Sequence, residues 1–181
     1  MRLTDRVIPL VVLAIVFVLM LGEAVLSRRH ERALRARGAV EPEGDVYPVM
    51  RVAYPLCFLA VGVEGALAGS PPRGRLLAGA AVFVMAKALK YWAIATLGER
   101  WTFRVLVLPG VPLVTGGPYR WLNHPNYLAV AGEIAGAALM LRAPVAGLLG
   151  LAGFGALIRR RIAVEDRALA AARRHNPSAG P

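Results

Sequence analysis

The run from Val7 to Leu26 is apolar except for Pro9, Gly22 and Glu23. At about 1.5 Å rise per residue such a run crosses about 30 Å of hydrocarbon, the thickness of a bilayer core. It therefore predicts a helix that spans a membrane and constrains the rest of the chain to be compatible with lipid. A cleavable leader has an apolar core of only about 7–15 residues and a small-residue cleavage site. Val7 to Leu26 is expected to stay as an anchor instead. Two further runs, Val46 to Ala68 and Leu76 to Leu97, have the length and character of second and third spans. A compact turn, Gly69-Ser70-Pro71-Pro72-Arg73-Gly74-Arg75, separates them.

Composition agrees. The 181 residues are 57% hydrophobic, against about 45–50% in a soluble domain even with glycine counted, and the mean hydropathy is +0.53. The net charge of +11 is carried largely by arginines at the ends of the apolar runs. That placement fits lipid headgroups and topology, and it argues against nucleic acid as a partner. The lone Cys57 lies inside an apolar run, so neither a disulfide framework nor a cysteine metal site is available.

After Leu97 the pattern changes. Gly98 to Asn123 is the longest polar connection, yet it holds Val105 to Leu108 and Val111 to Val114, as a loop lying against a membrane would. Pro125 suits the first turn of a helix, which runs to Leu141. Arg142-Ala143-Pro144 turns the chain, and Val145 to Ile158 returns. Gly132 and Gly136, with Gly147, Gly150 and Gly153, offer small faces for close helix contact. Arg159 to Arg174 reads as an interfacial amphipathic helix, and Asn176 to Pro181 as a disordered tail.

The expected fold is an all-α integral membrane protein with about five transmembrane helices, a cytoplasmic-side pocket and an interfacial C-terminal helix. Residues 1–97 form a three-helix half, 98–175 a catalytic half and 176–181 the tail. Lysine and arginine concentrate in the flanks marked by Arg28, Arg104 and Arg161, which predicts that those segments face the cytoplasm. The basic stretch Arg28 to Arg37 and the Gly- and Pro-containing Gly38 to Asp45 read as a loop. Within the spans, Lys87 and Lys90 share a helical face and call for partners in Glu64 or Glu23, or line a cavity, because an unpaired ion in lipid costs about 3 kcal/mol or more.

Two polar clusters carry the chemistry: Gly117-Pro118-Tyr119-Arg120-Trp121-Leu122-Asn123-His124-Pro125-Asn126-Tyr127, and Arg161-Ile162-Ala163-Val164-Glu165-Asp166. A helical hairpin between them would bring both to one membrane edge. No GxGxxG, P-loop, HExxH or GxSxG motif is present, and His30, His124 and His175 are too scattered for a metal set. A carboxylate can hold an ammonium group, while imidazole and the N–H groups behind Pro125 can hold a carboxylate. Tyr119 and Tyr127 can flank a cation or an aromatic ring. Such a set suits a charged, zwitterionic cofactor meeting an oily substrate. If a base is needed, His124 or Glu133 is nearest in sequence; Glu133 equally suits a structural hydrogen bond. Trp121 and Arg159 read as interfacial anchors.

These two blocks resemble the isoprenylcysteine carboxyl methyltransferase superfamily, with its GxYxxxRHPxY and RxxxEE motifs. The resemblance covers Leu97 to Leu169. The stretch KYWAIATLGERWTFRVLVLPGVPLVTGGPYRWLNHPNYLAV is most similar to the bacterial branch that O-methylates alkylpyrones and alkylresorcinols made by type III polyketide synthases. The resemblance implies S-adenosylmethionine held by Val111, Pro112, Leu113, Val114, Tyr119, His124, Pro125, Asn126, Tyr127, Glu165 and Asp166. It implies Arg161 at the substrate; Arg161, His124 and Glu133 are then the catalytic candidates, and no metal is expected. The partners implied are a lipophilic acceptor entering from the bilayer, membrane lipids and a polyketide synthase as pathway neighbour. Asn123 stands where the motif has Arg, and Asp166 where it has a second Glu. Prenylcysteine and phospholipid amine methylation are the nearest alternatives. A membrane reductase of the steroid 5α-reductase type, using NADPH, shares a Pro-Asn-Tyr followed by Glu, matched by Pro125-Asn126-Tyr127 and Glu133. A non-catalytic scaffold would bind neither cofactor.

Overall fold

The computed structural model describes residues 3–174, with side chains from Val7 to Ala170. Five helices make up most of it: α1 (Leu3–Ala36), α2 (Tyr47–Ala68), α3 (Arg73–Leu97), α4 (Pro125–Leu141) and α5 (Pro144–Arg174). Among the described residues the only strand-like pairing is an isolated antiparallel bridge between Val40 and Val107. The fold is that of an all-α membrane protein. Val7–Ala36, Tyr47–Ala68 and Arg73–Arg100 are long and apolar enough to cross a bilayer. α4 and the apolar arm of α5 pack beside them. The expected tail, Asn176 to Pro181, lies outside the described residues.

Lipid offers no hydrophobic drive for helix association, so close backbone approach has to supply the contact. It does so between α3 and α4, which pair antiparallel through glycine. A methyl group on Gly79 would sit 2.4 Å from the Met140 nitrogen, and one on Gly136 would sit 2.7 Å from the Phe83 nitrogen. Gly132 faces Ala86, and Gly147 of α5 faces Ala138 of α4. Gly153, expected on a contact face, meets open space instead. Phe58, Val61, Phe83, Ile134, Leu141 and Phe154 fill the centre. Val18, Leu67, Leu148 and Leu149 point outward, which water would penalise and lipid accepts.

The α4–α5 corner is tight because Arg142 takes a left-handed conformation (φ 58°, ψ 39°). Its N–H bonds the Leu139 carbonyl, and the Ala143 N–H bonds the Ala138 carbonyl, which closes the helix end in a Schellman pattern. The Arg142 guanidinium donates to the Ala68 carbonyl, pinning the corner to α2. Glu64 serves the same end. Its carboxylate accepts the Val145 and Ala146 N–H groups at the start of α5, so it is a helix cap and not the partner of the lysines.

Two segment assignments change. The basic stretch after Ser27 is helix, not loop, since α1 continues to Ala36. Arg, Glu, Ala and Leu favour helix and no Gly or Pro intervenes before Gly38. Leu34 is buried and anchors the extension. Likewise the C-terminal amphipathic stretch is the continuation of α5 and not a separate helix. At about 1.5 Å per residue both helices exceed a hydrocarbon core of about 30 Å. Their polar ends project on the side where α3 ends and α4 begins.

Lys87 and Lys90 find their partners across α1 and α4. The Lys87 Nζ lies 2.6 Å from Glu23 Oε1 and 3.1 Å from Glu133 Oε2, and Lys90 lies 2.9 Å from the second oxygen of each. Tyr54 donates its hydroxyl to Glu133. Two cations and two anions thus close a neutral quartet, all but sealed from solvent.

Candidate functional site

The connection 98–124 is fixed to the helical bundle. It is stitched to the projecting end of α1 and to the α1–α2 loop. The Phe103 N–H donates to Ser27 Oγ, and His30 Nδ1–H donates to the Trp101 carbonyl. Arg104 bonds Glu41 at 2.7 Å and approaches Glu31 at 3.5 Å. Burial alone would raise the Glu41 carboxyl, but Arg104 and Arg35 outweigh it and hold the group below its ordinary value. Val105 is tucked into the protein. Trp101, also buried, donates its indole N–H to Asn126 Oδ1 at the head of α4.

Gly117 has φ +56°, and a methyl group there would meet Thr96 Oγ1 at 2.3 Å, so only glycine lets the short turn Gly117–Arg120 (GPYR) close onto the end of α3. Tyr119 emerges from that turn. Burial raises its hydroxyl well above the ordinary tyrosine range, and the negative charge of Glu165 adds to the effect. Tyr119 therefore stays protonated and lies within the field of α5.

His124 precedes α4, whose first residue is Pro125. Its ring stacks on Tyr127 at 5.4 Å between centroids and 24° between planes. From α5, Glu165 Oε2 lies 3.8 Å from His124 Nδ1, and Asp166 Oδ1 lies 3.7 Å from Nε2. The imidazole thus sits between two carboxylates. Tyr127 donates its hydroxyl to Glu165 Oε2 at 2.8 Å and accepts from Arg161 Nε at 2.8 Å. Both sequence clusters meet at one end of the helical bundle, and the hairpin of α4 and α5 joins them.

Access is graded across the group. The Arg161 side chain is 7% exposed, His124 22%, Glu165 33% and Asp166 61%. A small ligand approaching from the polar side would meet the two carboxylates and the imidazole first. Val111, Pro112 and Leu113 lie on the exposed part of the connection, where Arg100 donates to the Pro112 carbonyl at 2.6 Å. Glu133 lies elsewhere, two turns along α4 in the buried quartet with Lys87 and Lys90, so the geometry puts it with the structural ion pairs and not beside His124.

One residue was not singled out from sequence. Asp45, assigned there only to a turn, directs its carboxylate inward at 4% exposure. It accepts the Tyr47 N–H and Val105 N–H, each at 3.0 Å, and Arg161 Nη1 at 3.2 Å. The signal was an Asp two residues before a Tyr-Pro helix start, a pattern that favours a side-chain bond to the backbone.

The architecture defines an all-α membrane protein with a polar cluster at the mouth of a helical hairpin; among the described residues no group of three or more His, Cys, Asp and Glu is placed to hold a metal ion. The chain belongs to the isoprenylcysteine carboxyl methyltransferase (ICMT) family, which it matches over residues 79–171. It is a membrane methyltransferase of the isoprenylcysteine type. Among its relatives is the uncharacterized protein YpbQ of Bacillus subtilis (strain 168), 36% identical over 157 residues that cover 87% of this chain and 94% of that one. An uncharacterized protein of Haemophilus influenzae is 27% identical over 145 residues, covering 80% and 84% respectively. No solved structure matches the chain.

Proposed function

We propose that the protein uses S-adenosylmethionine to methylate an oxygen of a lipophilic acceptor, an alkylpyrone, an alkylresorcinol or a prenylcysteine carboxylate, at the cytoplasmic edge of a bacterial cell membrane. The observation that carries this reading is the convergence of His124, Tyr127, Glu165 and Asp166 beside helices whose outer faces are apolar. A methyl donor of this kind is a sulfonium with an ammonium, a carboxylate and an adenine. The donor set fits it without a metal.

Glu165 and Asp166 would take the ammonium, and His124 with the Asn126 N–H at the head of α4 would take the carboxylate. Tyr119 and Tyr127 offer aromatic faces to the cation or the adenine. Val111 to Val114, Pro125 and Asn126 complete the cofactor set implied by the family. The cofactor supplies an activated methyl group. What the chain supplies is orientation, charge pairing and a water-poor surrounding. Charge is neutralised when a sulfonium methylates an oxyanion, so low polarity around the site does not oppose the step. An enol or an acidic phenol needs little base strength, and His124 would accept its proton. The acceptor would enter from lipid between α-helices, and a polyketide synthase would be the natural source of such acceptors.

The test is incubation of purified protein with labelled S-adenosylmethionine and a panel of alkylpyrones, alkylresorcinols, prenylcysteines and phosphatidylethanolamine, read by mass spectrometry. Label on an oxygen of one acceptor class is the expected result. Label on the amine alone would shift the function to phospholipid N-methylation, and no label on any would reject the proposal.

A further inference from the structure

Arg161 and Glu165 stand four residues apart on α5, the spacing at which a cation and a carboxylate on a helix pair directly. They do not do so here. Arg161 is drawn the other way, with Nη1 3.2 Å from Asp45 Oδ1, and the Tyr127 hydroxyl lies between Arg161 Nε and Glu165 Oε2 at 2.8 Å from each. Asp45 is itself held rigidly, since its two oxygens also accept the backbone N–H groups of Tyr47 and Val105. It belongs to the α1–α2 loop and so lies outside the region that matches the family, residues 79–171.

We propose that Asp45 is a positioning residue that acts as the counter-ion of Arg161 and keeps that cation from neutralising Glu165. The N-terminal half of the chain thereby sets the charge that Glu165 presents to a cationic ligand group. A direct Arg161–Glu165 pair would compete with the ammonium of the cofactor for the same carboxylate. With Asp45 in place, Glu165 accepts only the neutral Tyr127 hydroxyl within this relay and keeps its negative charge for the ligand. The inference rests on the proposed use of S-adenosylmethionine.

Calorimetric titration with S-adenosylhomocysteine tests it on four proteins: wild type, Asp45→Asn, Arg161→Gln and the double variant. Asp45→Asn keeps one carbonyl oxygen, enough for one of the two backbone N–H groups, and removes the charge, and a loss of affinity of about tenfold is expected from the competing charge-assisted contact. Arg161→Gln removes the competitor, so the double variant should bind as Arg161→Gln does, and more tightly than Asp45→Asn. That rescue separates the charge role from a purely structural one, because loosened loops would not be repaired by a second substitution. Wild-type affinity in Asp45→Asn, or a double variant no better than Asp45→Asn, would overturn the proposal. Failure of the wild type to bind would instead strike the functional reading on which it rests.

Discussion

Two acid–base clusters hang from α4 only two turns apart, and they differ in access. Around Glu133, two lysines answer two glutamates and the side chains are 9% exposed or less. Around Tyr127, the charges are unevenly matched, and exposure rises from Arg161 through His124 and Glu165 to Asp166. A closed neutral network inside lipid has nothing left to offer a ligand and serves to fix α1, α3 and α4 against one another. An open, graded one can exchange internal contacts for external ones. Buried charge alone is therefore a poor guide to function in a chain of this kind; the accessible cluster is the one whose side chains a ligand can reach.

The contrast breaks most visibly in stability. Lys90→Met strands a carboxylate in the quartet and should cost about 3–5 kcal/mol, read as a large drop in the thermal midpoint of detergent-purified protein. Adding Glu133→Gln restores neutrality and should recover part of that loss. If Lys90→Met leaves the midpoint unchanged, the quartet is not the lock described. Glu165→Ala should behave in the opposite way: affinity for S-adenosylhomocysteine falls by about tenfold or more, as for loss of a charged hydrogen-bond partner, while the midpoint barely moves. A midpoint drop comparable to that of Lys90→Met would erase the distinction between the clusters.

Smaller effects sharpen it. Tyr127→Phe removes the hydroxyl between Arg161 and Glu165 and should cost about 1 kcal/mol in analogue binding, a change of about fivefold by calorimetry. Trp121 is 67% exposed and stands against Trp92 with ring centroids 5.9 Å apart. Trp121→Ala should change stability by no more than about 0.5 kcal/mol, and analogue affinity should stay at the wild-type value. A strong loss of binding in that variant would place the cofactor further toward Arg120 than the present site.

Much of this arrangement was legible beforehand. The apolar runs located the helices, because lipid imposes length and composition on any span. The spacing of the two polar blocks about a Pro-started hairpin anticipated that His124 and Glu165 would meet. What escaped were features set by rotation about helix axes. Lys87 and Lys90 share a helical face, but whether that face meets Glu23 or Glu64 depends on helix rotation, and the close approach at Gly79 and Gly136 fixes only how α3 turns against α4. Glu133 went to the quartet for the same reason. The α1 extension is hidden in the sequence because a run of arginines suits a polar loop as well as a helix, and arginine is a strong helix former. The neighbouring Tyr47 N–H marks Asp45 only as a turn residue, whereas its other partners, Val105 and Arg161, lie 60 and 116 residues away and are brought to it only by the fold.

The account stands or falls on whether the edge cluster is a cofactor site, and a parallel calorimetric titration of the purified protein with S-adenosylhomocysteine and with NADPH addresses that most directly. Saturable binding of S-adenosylhomocysteine alone, abolished or strongly weakened in Glu165→Ala and in His124→Ala, is the expected result. Binding of NADPH in its place, or undiminished binding of S-adenosylhomocysteine by both variants, would contradict it.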